Sequence, residues 1–171
     1  MVLRGAVLAA GLLSATLCLA AGGIDIDRVS GLYVHKFTEH MADGETSYPA
    51  VDSLRIVRHT RDSAYFETFL SFANGHSCEL SGIAKVEGDA LVYREDDRAG
   101  RACEFRMRVM RGKIVFEDKD FGCSSQYCGM RGSLHGAIFS LQWRRPGGDL
   151  RKIRRSQSYR DAAAAYGRGQ R

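Results

Sequence analysis

Proline is almost missing from this sequence: Pro49 and Pro146 are the only two in 171 residues. No internal repeat or low-complexity segment precedes the C-terminal tail, which excludes solenoid and propeller arrays. The body has no apolar run at helical spacing, so a helix bundle is excluded, and no serine sits in a GxSxG-type elbow, which argues against the commonest hydrolase arrangement. Charge is missing from one stretch only, near the start of the chain.

That stretch reads MVLRGAVLAAGLLSATLCLAAGG. Arg4 is its single basic residue, an uncharged apolar run follows to Ala21, and small residues lead to a polar start at Asp25, the three-part layout of a secretory signal peptide. A bilayer span needs about 20 apolar residues; this run is short and ends in residues suited to cleavage near Ala20 or Ala21. Leu17 stands where a lipobox carries a small residue, so a lipid on Cys18 is not expected. The sequence therefore divides into a signal peptide (1–21), a body (22–143) and a tail (144–171), and predicts a periplasmic or secreted protein.

Loss of Cys18 leaves Cys78, Cys103, Cys123 and Cys128. Four cysteines in an exported domain predict two disulfides. Cys78 and Cys103 both open predicted strands on the apolar phase, at the same end of a sheet, whereas Cys123 and Cys128 are separated by four residues and flanked by Gly122 and Gly129. The preferred pairing is therefore Cys78 with Cys103, and Cys123 with Cys128 as a local clip.

Basic residues crowd the tail. From Arg144 onward there are nine basic and two acidic residues, about +7, while 21–143 holds fifteen basic and eighteen acidic, about −3. Such a tail favours polyanions: lipopolysaccharide phosphates, anionic lipid or an acidic partner. Nucleic acid is not expected as a partner of an exported chain.

Period-2 alternation dominates the body. In RACEFRMRVM, Cys103, Phe105, Met107 and Val109 share one phase; SAYFETFLSF and HSCELSGIAKVEG behave alike; GLYVHKF, VDSLRIVRH, ALVYRE, KIVFED and LHGAIFSLQW complete about eight strands. ANGH, EGDA and RGK read as hairpin turns. Closing such a meander removes its exposed edges. The predicted fold is all-β: an antiparallel up-and-down barrel of about eight strands, lipocalin-like, with an open sandwich as the alternative and a basic C-terminal tail, mobile or partly helical.

Candidate chemistry is sparse. Cys123, Cys128 and His135, with His76 or Cys78, form a conceivable zinc set, but C-x4-C is looser than usual ligand pairs and export favours disulfides, so no metal or cofactor is expected. His35, His40, His59, His76 and His135 are scattered, with no activated nucleophile nearby, so no catalytic residue is assigned and an enzyme is not expected. The acids Asp96, Asp97, Glu117, Asp118 and Asp120 fall in predicted loops where solvated charge is the ordinary state. Tyr127 and Arg131 flank Cys128 in the stiffened segment and are the residue types common at binding hot spots. They are the candidate partner contacts; the competing reading has Tyr127 plugging the barrel end and Arg131 paired with an acid.

The order NGHSCELSGIAKVEGDALVYRE, CEF, GKIVFED and CSSQYCGMRGSLHGAIF resembles the β-domains of small proteobacterial periplasmic proteins grouped with lysozyme-inhibitor-like families, over about 74–139, with YCGxRGS as its most specific part. The resemblance implies a disulfide-bonded β-barrel that binds a lysozyme through a loop. The SGxxY-like inhibitory loop of those families has no match in context: SGLY at 30–33 and SGIAKV at 81–86 differ from it, so no inhibitory residues are carried over. The expectation is a monomeric, non-enzymatic binding protein for a protein partner such as a lysozyme or another envelope-targeting hydrolase. The alternatives are a small-ligand or lipid carrier, or an envelope structural protein held to an anionic surface by its tail.

Overall fold

The computed structural model describes residues 23–41, 43–95, 102–145 and 150–169. The expected signal peptide, positions 96–101 with the predicted loop acids Asp96 and Asp97, and positions 146–149 early in the tail lie outside the described residues.

Strands β1 (Gly31–His40), β2 (Ser47–Arg58), β3 (Ser63–Phe72), β4 (His76–Glu87), β5 (Ala90–Glu95), β6 (Cys103–Met110), β7 (Lys113–Asp118) and β8 (Ile138–Ser140) pair antiparallel in sequence order. The chain is an all-β, up-and-down, nearly closed barrel. The predicted turns form: Arg111 and Gly112 between β6 and β7 both take positive φ (49° and 75°), the hairpin geometry that matches strand twist. The last predicted strand, LHGAIFSLQW, is corrected. Only 138–140 pairs with β7; a 3-10 turn at Leu141–Trp143 follows, and β9 (Arg144–Arg145) then pairs with β1. The Ser140 side chain accepts the Gln142 N–H and the Leu141 N–H donates to Gly112 O, turning the chain from one sheet edge toward the other. One broken strand thus bridges both edges.

Large side chains fill the interior. Phe66, Phe105, Phe116, Phe139 and Tyr33 are all under 2% exposed, and their rings contact in series at centroid distances of 5.5, 4.8, 5.4 and 6.4 Å. Burial of each such side chain contributes about 1.5–3 kcal/mol. The short helix α1 (Ile26–Val29) closes one barrel end: Ile26 and Val29 are buried, and the Tyr33 hydroxyl donates to Val29 O at 2.7 Å. Burial pushes the Tyr33 phenol up to about 12.

The tail opens with β9 in the sheet, and its described residues from 150 onward are helical, comprising α3 (Leu150–Ile153) and α4 (Gln157–Gly169). An isolated helix of this length is marginal in water, but α4 lies against the outside of β3 and β4. Tyr159 meets Tyr65 at 5.3 Å and shares a 2.8 Å hydrogen bond with His59 Nδ1, while Tyr166 meets His59 at 5.8 Å with Lys85 Nζ 5.7 Å from its ring. Tyr65 and Ile83, on the strand phase opposite the core, are consequently buried.

Candidate functional site

The barrel end opposite α1 is covered by residues 119–137, which leave β7 and return to β8. Asp118 starts this lid. As the last residue of β7 it is buried, not the solvated loop acid expected from sequence, and its carboxylate accepts the N–H groups of Cys123 (2.9 Å) and Ser124 (2.7 Å). Those donors open the single helical turn α2 (Ser124–Tyr127). Ser124 Oγ then accepts the N–H of Leu134, whose side chain is fully buried beneath the lid. At Gly122 a Cβ would sit 2.2 Å from Ala102 O, so only glycine allows the lid to pass this close to the chain entering β6.

The disulfides overturn the expected pairing. Cys78 bonds Cys128 (Cα–Cα 4.0 Å) and Cys103 bonds Cys123 (4.5 Å). Strand β5 lies between β4 and β6, so Cys78 and Cys103 are at least two strand spacings apart, about 10 Å or more, beyond the roughly 7 Å a disulfide spans. Cys123 and Cys128 sit at opposite ends of α2, each beside a different strand. The lid is therefore clipped twice, to β6 and to β4, and Cys128 also bridges Cys78 through its backbone. All four thiols are committed, which removes them as thiolate ligands for the conceivable zinc set, and no group of three or more metal-binding side chains assembles among the described residues.

Tyr127 and Arg131 are separated by this geometry. Tyr127 is half-buried against the core, and its hydroxyl hydrogen-bonds Glu95, which also accepts from the Tyr93 hydroxyl at 2.9 Å. Burial, with Tyr127 and Glu95 close by, raises the Tyr93 phenol far above its ordinary range. Arg131 is exposed at the lid tip beside Met130, which is 97% exposed. Met130 was not singled out from sequence; its signal was an apolar side chain beside Arg131 in a pair flanked by Gly129 and Gly132.

Beside the lid, a groove of about 290 Å³ is lined by Asp52, Phe72, Ser133, His135 and Ile138, among others. Asp52 accepts the Ser71 N–H at 2.8 Å, lies 3.9 Å from His35 Nδ1, and is raised in pKa chiefly by burial. His35 stacks between Trp143 (4.5 Å) and Phe37 (5.2 Å), and Ile138 and Trp143 are 46% and 36% exposed. His135 Nδ1 accepts the Asp118 N–H at 3.3 Å, and Glu117 pairs with Arg108 at 3.2 Å. Among the described residues, no histidine ring is hydrogen-bonded to a serine hydroxyl. What the arrangement offers is a stiff, partly apolar surface with cationic and aromatic edges. Comparison with family models, with curated proteins and with solved structures returned no match.

Proposed function

We propose that this is an exported, non-enzymatic binding protein whose lidded end engages a protein partner, with lysozymes and other envelope-targeting hydrolases as the class the sequence resemblance suggests. The observation that carries the reading is the lid itself: a segment held by two disulfides that presents Met130 almost wholly to solvent beside Arg131. A rigid contact surface loses little conformational freedom on association, and apolar and arginine anchors are common at interface centres. Two disulfides accord with an oxidising compartment. Carriage of a ligand inside the barrel is less well supported, because aromatic side chains occupy the interior and α1 and the lid cover its ends.

The test is titration of the purified mature domain into assays of several lysozyme types, alongside capture of partners from envelope extracts. M130A/R131A should weaken inhibition or capture at least tenfold, the scale of a hot-spot loss. Neither inhibition nor capture by the intact domain, or capture indifferent to those substitutions, would overturn the proposal.

A further inference from the structure

Residues 150–169 carry six cations, Arg151, Lys152, Arg154, Arg155, Arg160 and Arg168, against one acid, Asp161, and all six are exposed. Within α4 the partly buried side chains, Tyr159, Ala162, Ala163 and Tyr166, recur at helical spacing and form the stripe turned to the barrel. Docking of α4 thus sorts the tail into an inward apolar stripe and an outward cationic face about 20 Å long.

The arginines of β2, β5 and β6 are paired with carboxylates of the body. Arg55 pairs with Glu67, Arg58 with Asp27, Arg94 with Glu87 and Glu104, and Arg108 with Glu117. Among the described residues, none of the five arginines of 150–169 has a carboxylate partner. Arg154 donates to Arg58 O and Arg160 to Gln157, both neutral acceptors, and Asp161 is bonded by Gln157. Guanidinium groups suit the planar, bidentate geometry of phosphate oxygens.

We propose that the outward face of α3 and α4 is a docking surface for a bilayer rich in anionic phospholipid. The choice of a membrane rests on the exported reading above, and on the face itself: its tyrosines point inward, so it offers no aromatic platform on which bases of a nucleic acid strand could stack. It also carries no large apolar side chain among the described residues. Attachment is therefore electrostatic, peripheral and salt-sensitive, without insertion.

Sedimentation of the mature chain with vesicles tests this. Binding is expected to phosphatidylcholine vesicles containing phosphatidylglycerol, not to phosphatidylcholine alone, and to fall steeply at high salt. Removing each charge should weaken partition about fivefold, so R151Q/R155Q/R160Q/R168Q should lose several hundredfold while the barrel melts unchanged. If that variant folds poorly, R155Q/R168Q, whose side chains make no described contact, should still lose about twenty-five-fold. Absence of binding to phosphatidylglycerol vesicles, equal binding to both vesicle types, indifference to the substitutions, or binding to duplex DNA without binding to vesicles each overturns the proposal. A chain that binds vesicles in vitro but stays in the cytoplasm with residues 1–21 attached would instead sink the exported reading.

Discussion

Replacing Cys78 and Cys128 together by alanine tests the lid most directly. In the chain-entropy account, a crosslink closing n residues removes about 2.1 + 1.5R ln n cal/mol/K from the unfolded chain. The two bridges span separations of 50 and 20, with the shorter nested inside the longer. With Cys103–Cys123 intact, the outer loop is effectively about 30 residues, so its removal costs about 3.6 kcal/mol. For a domain of this size that is a loss of about 10 °C in melting temperature, and because Cys78 is fully buried, truncation adds to it. Calorimetry of C78A/C128A gives the magnitude, and a non-reducing tryptic digest gives the pairing. Trypsin leaves Cys78 on 62–85, Cys103 on 102–106, and both Cys123 and Cys128 on 120–131. The observed bridges join all three peptides into one species, which cleavage after Tyr127 splits into two linked pairs. A digest with 62–85 joined only to 102–106 and 120–131 closed on itself would refute this lid, as would a melting loss of only a degree or two.

Leu134→Ala removes the side chain buried beneath the lid and should cost about 2–5 kcal/mol; a cost near zero by chemical denaturation would mean the lid is not seated. His59 gives a pH dependence. Burial, with the Arg154 charge second, holds its imidazole below the ordinary value, so the unfolded chain takes up the proton first. The contribution is complete above the unfolded value of about 6.5 and is lost as pH falls through it toward the lower folded value. The protection factors of α4 amides, with exchange referred to the intrinsic rate at each pH, should therefore fall between about pH 7.5 and 5.5 in the native chain, and H59Q should flatten the change; unchanged protection would remove His59 from the docking contact.

The strands were legible because most have one wet face. β3 and β5 coincide with the predicted segments, and Cys103, Phe105 and Met107 point inward as their phase requires. The disulfides were not legible, since proximity along the chain made Cys123 and Cys128 look like partners, whereas the bonds follow distance across a sheet whose order inserts β5 between Cys78 and Cys103. Asp118 misled for a related reason: an acid beside a turn is ordinarily solvated, and only the fold shows two amide donors waiting for it. The docked tail needed two signals read together. Tyr159, Ala162, Ala163 and Tyr166 recur at helical spacing, but their counterparts Tyr65 and Ile83 sit on the strand phase that alternation assigns to solvent.

The competing readings of Tyr127 and Arg131 need not share one answer. The Tyr127 hydroxyl is committed to Glu95, at the edge where β5 ends, so it fastens the lid to the barrel. Arg131, beyond the second bridge, is left exposed with Met130. The lid caps the end where β4 and β6 begin. The tail docks near the other end, through His59 just after β2 and Lys85 late in β4, toward the side closed by α1. A barrel held to an anionic surface by α4 would therefore keep its lidded end away from that surface, and the two contacts could be made at once.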